Sequence, residues 1–331
     1  MTDNLVYDSA ARLFNDLAPA ALRGLEQREF PQELWQASED AGYLDVLGDG
    51  AQWDNLADAM AILLAGGTAP VPIPISSAML ARRLVALTRL EVEPGIVLAM
   101  TPRALGGNTG VRWFWPHDTR GVIACWPEGW ALIKAGGSTA GRNYAGEPWW
   151  LIEAEEDIRE RVMRPYPDEC SYEQCQMFLA LSRSALMAGA MQGALGLTIE
   201  HANTRVQFGK PLGKQAAVQH QLALMAEYVA AAGVAVDFAV RRWSEGAAPE
   251  VIWRAVASAK IRCGESAGKV AEMAHQIHGA IGFTREYRLQ DFTRRLWTWR
   301  DEAGTEAEWS QALGERLIAA GADRLWPALT E

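Results

Sequence analysis

Apolar residues recur at helical spacing in the first part of the chain. Such stripes cover residues 34–41 and 56–64, and the second stops before the pair Gly66-Gly67, which is expected to end its helix. Residues 68–76 alternate proline with apolar residues and are predicted to be extended, because proline disfavours helix at its own position and at the preceding one. A further helix is predicted over residues 78–87.

The pattern changes after residue 94. Short apolar runs at 95–100, 121–125 and 130–133 lie between glycines and prolines, which is typical of short β-strands in a meander or small barrel.

Long helices are predicted again in the last part of the chain, over residues 178–201, 217–243 and 249–278. Three glycines interrupt the first of them and suggest close contacts with other helices: Gly189, Gly193 and Gly196. Together the three patterns predict a mainly α fold with a small β middle domain. The expected divisions are a helical N-terminal domain at 1–94, a shortened, β-barrel-like middle domain at 95–167 and a C-terminal domain with four-helix-bundle packing at 168–331.

The charge balance restricts the partners. The chain has 331 residues and a formal net charge of −10 at pH 7, which argues against nucleic acid and against anionic membrane surfaces. The N-terminus is acidic and polar rather than basic and apolar, and no uninterrupted apolar run approaches the ~18 residues of a membrane span. We therefore expect a cytoplasmic protein with no membrane partner. The four cysteines (125, 170, 175 and 263) lack metal or redox spacing and are expected to be reduced thiols, with a disulfide as the less favoured alternative.

Residues 203–212 read NTRVQFGKPL, a segment that combines cations with an aromatic ring at a predicted helix end. Arg205 can pair with a phosphate through two hydrogen bonds, and Phe208 can stack on a purine. The alternative is that Arg205 and Lys210 only complement the helix dipole while Phe208 packs in the bundle.

A second segment, Gln276-Ile-His-Gly-Ala-Ile-Gly-Phe-Thr-Arg-Glu-Tyr287, places backbone N–H groups beside Gly279 and Gly282, where a phosphate can approach closely. A helix C-cap explains Gly279 equally well. His275 and His278 lie three residues apart, but no further ligand completes a metal site, so no metal is predicted. The sequence also lacks a GxSxG, an HExxH, a P-loop and a GxGxxG, which leaves hydrolytic and Rossmann-type chemistry without support.

These two segments resemble the signatures of the acyl-CoA dehydrogenase C-terminal domain. The family pattern Arg-x-Gln-Phe-Gly-x-Pro matches 205–211, with Gln219 matching a glutamine downstream. The pattern Gln-x-x-Gly-Gly-x-Gly-(Phe/Tyr)-Thr-x-Glu-Tyr matches 276–287, except that Ala280 replaces one glycine. The likeness extends over residues 185–308, and residues 33–44 fit more loosely.

The resemblance implies an FAD enzyme that desaturates acyl-CoA thioesters. It implies that Arg205 pairs with the cofactor pyrophosphate, that Phe208 contacts the adenine, and that Gln276 with the backbone of 279–282 holds the rest of the ADP moiety. The matched positions Gln207, Gln219 and Thr305 are further implied contacts. In this family much of the FAD bound there belongs to a neighbouring subunit.

The chain departs from the family at the catalytic position. The family loop Tyr-Glu-Gly-Thr aligns with residues 302–305, so that Ala303 stands where the catalytic Glu is usual. Some members take the base from an earlier helix, near Leu179 here, but no carboxylate occurs between 178 and 198. The segment that cradles the flavin ring resembles only residues 100–103.

Three hypotheses follow. The favoured one is a subunit that supplies the ADP half of an FAD site to a full-length acyl-CoA dehydrogenase partner, in an α2β2 assembly that desaturates a bulky or steroid side-chain acyl-CoA. Electron-transfer flavoprotein is the acceptor that the family implies. The second is a self-sufficient homo-oligomer that uses Glu302 as its base, and the third is a flavin-free structural or binding protein on the same scaffold.

Overall fold

The computed structural model describes residues 4–27, 29–50, 53–92, 95–101, 103–105, 108–114, 119–134, 139–153, 163–207, 209–324 and 326. The chain divides into two compact units. Unit 1 comprises Met1–Ile62 and Val71–Leu179, and unit 2 comprises Leu63–Pro70 and Ala180–Glu331. The three-domain division with boundaries at 94 and 167 stays a prediction.

The N-terminal helices are α1 (Leu5–Glu26), α2 (Gln32–Asp40), α3 (Leu56–Thr68) and α4 (Ile75–Thr88). The Asn4 side chain caps α1 by accepting the N–H groups of Val6 and Tyr7. The predicted stop at Gly66-Gly67 was wrong, because α3 continues through both glycines to Thr68. The extended segment is therefore confined to the residues between Thr68 and Ile75.

The β part of unit 1 contains the strands β1 (Ile96–Met100), β2 (Arg103–Leu105), β3 (Asn108–Phe114), β4 (Thr119–Trp126), β5 (Gly129–Lys134), β6 (Thr139–Arg142) and β7 (Pro148–Glu153). They form a three-stranded sheet in the order β1-β4-β5 and a four-stranded sheet in the order β2-β3-β7-β6. Strand β1 runs parallel to β4, with Val97 opposite Gly121, and β4 and β5 are antiparallel. The three predicted strands are confirmed as β1, β4 and β5, and the buried face of β4 lies in the core of this unit.

The C-terminal part is helical: α5 (Tyr172–Thr204), α6 (Ala216–Ser244), α7 (Pro249–His278), α8 (Leu289–Asp301) and α9 (Glu306–Ala320). Between α5 and α6 lie two short paired strands, β8 (Val206–Gln207) and β9 (Lys210–Pro211). A 3-10 helix, Gly279–Phe283, follows α7. The three long helices are confirmed, and α7 has its predicted bounds, with Pro249 at its first turn, where the missing N–H leaves no hydrogen bond unmade.

Two of the three glycines of α5 make the close contacts that the sequence suggests. A Cβ at Gly189 would lie 2.1 Å from the Leu64 carbonyl oxygen of α3, and one at Gly193 would lie 2.2 Å from the Phe292 ring. A Cβ at Gly196 would meet nothing within 4 Å. The crossing at Gly67 and Gly189 explains why α3 keeps its glycines within a helix: a side chain at Gly67 would lie 2.2 Å from the Leu186 carbonyl oxygen.

Helix α6 is unusually apolar. Among the described helices it alone is long and apolar enough to cross a membrane by length and composition, with a mean hydropathy of 1.6 in its most apolar window. Only 28% of that window is buried within the chain. The absence of a membrane partner therefore stays a prediction.

Candidate functional site

The two sequence signatures lie at the same end of unit 2, where α5 and α7 finish. The His201 ring of α5 stacks on the His278 ring of α7, with ring centroids 4.4 Å apart. Tyr287, from the end of the second signature, places its hydroxyl oxygen 3.2 Å from His278 Nε2 and its ring edge against His201. The folding of α5 against α7 thus brings residues 201–211 beside residues 276–287.

Hydrogen bonds fix the protonation of this cluster. His278 Nδ1 lies 2.8 Å from the Ala274 carbonyl oxygen, which only accepts, so Nδ1 carries the proton and Nε2 accepts from the Tyr287 hydroxyl. Burial lowers the pKa of His278, and burial followed by repulsion from His278 and Arg205 lowers the pKa of His201. Both imidazoles are therefore neutral at pH 7, and Arg205 is the nearby cation.

Arg205 lies just past the end of α5. Its N–H donates to the His201 carbonyl oxygen at 2.9 Å, its own carbonyl oxygen accepts from the Leu212 N–H at 2.9 Å, and its side chain is exposed. Gln207 is also exposed, on strand β8, and Gly209 turns the chain with a φ of 77°. Phe208 lies outside the described residues. Backbone hydrogen bonds hold this segment in place, and the Arg205 and Gln207 side chains are left facing solvent.

The second signature begins on the last turn of α7. Gln276 and Gly279 are exposed, and Gly279 ends the helix with φ 63° and ψ −143°, a conformation that glycine adopts far more readily than any other residue. A Cβ at Gly279 would meet nothing within 4 Å, so its backbone is open to a ligand. Gly282 is buried, and a Cβ there would come within 3.0 Å of His278 Cβ. Gly282 therefore lets the 3-10 turn pack against the histidine cluster.

Two other predicted contacts are already engaged within the chain. Gln219 Nε2 donates to the Gly213 carbonyl oxygen at 2.9 Å. Thr305 is the N-cap of α9: its hydroxyl accepts the Glu308 N–H, and its own N–H donates to the Glu308 carboxylate at 2.7 Å. Both arrangements are local structural hydrogen bonds, and a cofactor role for either residue stays a prediction.

No metal site is present among the described residues, which contain no group of three His, Cys, Asp or Glu side chains able to hold an ion. His275 Nε2 is instead 3.0 Å from the Thr293 hydroxyl.

Glu302 follows the end of α8 and is held by an arginine. Its Oε2 accepts from Arg183 Nε on α5 at 2.6 Å, and the exposed fractions of the Arg183 and Glu302 side chains are 8% and 19%. The next residue, Ala303, has a positive φ of 54°, and its carbonyl oxygen accepts from the Trp309 indole at 2.8 Å. The loop is thus fixed on both sides of Ala303.

A buried amine supports the same loop from within the bundle. Lys260 on α7 is fully buried, and its Nζ donates to the Arg300 carbonyl oxygen at the end of α8, at 2.8 Å. Burial lowers the pKa of Lys260 to about 8. Arg300 in turn forms an ion pair with Glu306. The sequence analysis did not predict this network. It could have been inferred from charged residues at positions expected to be apolar: Arg183 lies in an alanine-rich helix, and Lys260 lies on the buried face of α7.

The C-terminal part of the chain matches a known protein family. Residues 173–317 match the family model "Acyl-CoA dehydrogenase, C-terminal domain", which includes both signatures and the 302–305 loop. The C-terminal part of the chain thus resembles the C-terminal domain of the acyl-CoA dehydrogenase family. Enzymes of this family are FAD flavoproteins that oxidise CH–CH bonds.

Two curated relatives show how far the likeness to acyl-CoA dehydrogenases and related enzymes extends. Acryloyl-CoA reductase (NADH) of Anaerotignum propionicum is 33% identical over 106 residues, which are 32% of this chain and 26% of that protein. The chain thus aligns with about a quarter of that relative's length. Acyl-CoA dehydrogenase IpdE2 of Mycobacterium tuberculosis is 27% identical over 288 residues, 84% of this chain and 85% of that protein.

Solved structures of acyl-CoA dehydrogenases share the fold. A chain of the ChsE4-ChsE5 complex from Mycobacterium tuberculosis aligns with a TM-score of 0.75 and 19% identity over 97% of this chain and 99% of that one. A chain of the Tcur3481-Tcur3483 steroid ACAD G363A variant aligns with a TM-score of 0.79 and 21% identity over 96% and 98%. The expected fold class, mainly α with a small β part, is confirmed.

Proposed function

We propose that this chain is a subunit of a heteromeric FAD-dependent acyl-CoA dehydrogenase, to which it supplies the ADP half of the FAD site. The observation that carries the proposal is the convergence of exposed Arg205, Gln207, Gln276 and the open Gly279 backbone at one end of α5 and α7. A guanidinium, side-chain amides and a glycine turn are suited to a diphosphate.

The residues fit the cofactor as one half of a pocket. Arg205 would bind the pyrophosphate, Gln276 and the Gly279 backbone the rest of the ADP moiety, and bound FAD would accept the β-hydride of the thioester. Since these groups are exposed, they do not by themselves exclude water from a ligand. A second surface is needed to enclose the cofactor, and a partner subunit is the source that we propose.

The Glu302 loop supports the proposed division of labour. A general base must reach the substrate α-proton and accept it. The Glu302 carboxylate is already engaged by Arg183 over 2.6 Å, in a mostly buried ion pair within the chain. Ala303 carries no proton acceptor. We therefore propose that the base comes from the partner, and that the self-sufficient enzyme with Glu302 as base is the less favoured candidate.

The comparisons support an assembly of two different chains and a bulky substrate. The ChsE4-ChsE5 structure is a complex, and the Tcur3481-Tcur3483 enzyme is called a steroid ACAD. By analogy we propose an α2β2 complex that acts on a steroid side-chain acyl-CoA in the cytoplasm and passes electrons to electron-transfer flavoprotein.

The decisive experiment measures flavin per assembled complex after Arg205→Ala and Gln276→Ala substitution. The double variant is expected to lose most of its FAD while assembly persists, and Lys269→Ala, which removes an exposed cation elsewhere on α7, should retain it. Unchanged flavin content in the double variant would refute the half-site. Expressed alone, this chain is expected to be colourless, whereas one FAD per chain would favour the self-sufficient enzyme.

A further inference from the structure

Helix α5 begins with a capping box. The Ser171 N–H donates to Gln174 Oε1 over 2.8 Å, and the Gln174 N–H donates to Ser171 Oγ over 3.2 Å. This reciprocal pair brings the residue before the cap against the fourth residue after it, a contact that apolar side chains usually make. Here both positions are cysteines, Cys170 and Cys175, and their Sγ atoms lie 3.5 Å apart.

The thiol pair is buried close to the surface of unit 1. Cys170 and Cys175 are each 0% exposed, whereas Asp168 and Ser171, on either side of Cys170, are exposed. A third buried thiol, Cys125 of strand β4, forms a hydrogen bond with Cys175. The sulfur atoms are therefore closed to bulky reagents, and a molecule of a few atoms is the kind of reagent that reaches them.

The two thiols differ in their electrostatic surroundings. A hydrogen bond with Cys175 lowers the pKa of Cys170, and the charge of the Arg83 guanidinium beside it lowers that pKa further. Arg83 is buried, and its guanidinium is held 4.4 Å from the centre of the Trp53 ring. Hydrogen bonds with Cys125 and Cys170, followed by burial, instead raise the pKa of Cys175. Cys170 is thus the thiol that ionises first, while Cys175 keeps its proton.

We propose that Cys170 and Cys175 form a redox pair, which hydrogen peroxide converts into an intramolecular disulfide. The Cys170 thiolate attacks one peroxide oxygen, the O–O bond breaks, and the departing hydroxide takes up a proton and becomes water. The Cys175 sulfur then attacks the resulting sulfenic acid. An S–S bond replaces the S–O bond, and the second oxygen leaves as water with the Cys175 proton. The two thiols lose two electrons, and one peroxide is reduced to two waters.

The capping box explains how a pair with this spacing can react. Cys170 and Cys175 are five residues apart, which fits no sequence motif of redox cysteines, and the sequence gives no reason to pair them. The turn at Ser171 brings the sulfurs into contact, and they have to approach by only ~1.5 Å to form the bond. The proposal is independent of the flavin half-site.

Peptide mapping of the assembled, full-length protein tests the pairing without any substitution. The protein is treated with hydrogen peroxide, quenched with N-ethylmaleimide in denaturant, and cleaved after glutamate, which separates the two cysteines at Glu169 and Glu173. The two peptides are expected to be joined by a disulfide that dithiothreitol reverses, while Cys263 keeps its maleimide label. Full labelling of both cysteines under peroxide that oxidises free cysteine, or a link from Cys175 to Cys125, overturns the proposal.

Serine variants test the separate roles of the two thiols. Cys175→Ser removes the resolving thiol, so the Cys170 sulfenic acid should persist and be trapped by dimedone. Cys170→Ser should slow peroxide oxidation of Cys175 by ~tenfold or more, because the remaining thiol lacks the attraction of Arg83. Cys263→Ser removes a buried thiol of α7 and is the matched control, which should form the disulfide at the wild-type rate. Equal rates of Cys175 oxidation in Cys170→Ser and wild-type protein refute the role of Cys170.

Discussion

Arg183 and Glu302 are 119 residues apart in the sequence, and the Arg183 Nε atom donates to Glu302 Oε2 over 2.6 Å. The pair links the middle of α5 to the loop after α8. The Arg183 guanidinium neutralises the carboxylate of Glu302, the residue that precedes Ala303. The loop is therefore joined to α5 by an ion pair in which the charges of the two side chains balance.

Glu302→Gln removes the charge and keeps the shape. The assembled enzyme is expected to keep its turnover within about twofold, because no proton transfer is assigned to this carboxylate. Stability should fall by about 1–3 kcal/mol, since Arg183 loses a charged partner in a mostly buried site. Steady-state kinetics and thermal unfolding check the two effects, and Arg183→Gln is the matched variant. A loss of turnover of about a hundredfold or more in a folded complex would identify Glu302 as the base.

Ala303→Gly should stabilise the protein. Ala303 has a φ of 54°, where an L-residue is strained by about 1–2 kcal/mol and glycine is not. After the entropy cost of glycine we expect a gain of about 0.5–1 kcal/mol, seen as a small rise in Tm. The neighbouring Gly304→Ala is the opposite case: its Cβ would lie 2.5 Å from Trp309 Nε1, and Tm should fall. A drop in Tm for Ala303→Gly would contradict this loop conformation.

Lys260 predicts a specific pH dependence of stability. Burial lowers its pKa from the usual 10.5 to about 8, so between these values the unfolded chain binds a proton that the folded chain does not. Stability therefore rises with pH across this window, and the cost of the buried charge is fully present below it. Between pH 7.5 and 9.5 the gain should be about 2 kcal/mol relative to Lys260→Met. Equal pH slopes for the two proteins in denaturant titrations would contradict the assignment.

Gly189→Ala and Gly196→Ala form a matched pair on α5. A methyl group at Gly189 would collide with the Leu64 carbonyl oxygen at 2.1 Å, and the rigid backbone of α3 has to move. We expect a loss of about 1–3 kcal/mol or more. At Gly196 nothing lies within 4 Å, so the better helix propensity of alanine should give a gain of up to about 1 kcal/mol. Chemical denaturation of both variants measures the difference, and similar effects at the two sites would refute the close crossing.

The elements that sequence predicts well are those with local signals. Helix α7 begins at Pro249 and ends before Gly279 as the residues indicate. Gly66-Gly67 misled the prediction, because glycine permits both a helix stop and a close helix crossing, and only the position of Gly189 decides between them. Likewise, the Arg183–Glu302 ion pair and the hydrogen bond from Lys260 to the end of α8 join residues distant in sequence. No sequence spacing predicts such contacts. The two family signatures were recognisable from the sequence, but their contact through His201 and His278 depends on the fold.

The apolar and largely uncovered surface of α6 also affects how the protein is made. A newly synthesised chain exposes Val234 and Phe238, and a contact with a second molecule that covers them is second order in concentration. Slow or dilute synthesis thus prolongs the time during which an orphan chain is open to misassociation. The yield of intact protein should accordingly depend more steeply on expression rate than it would for a chain that covers its own helices.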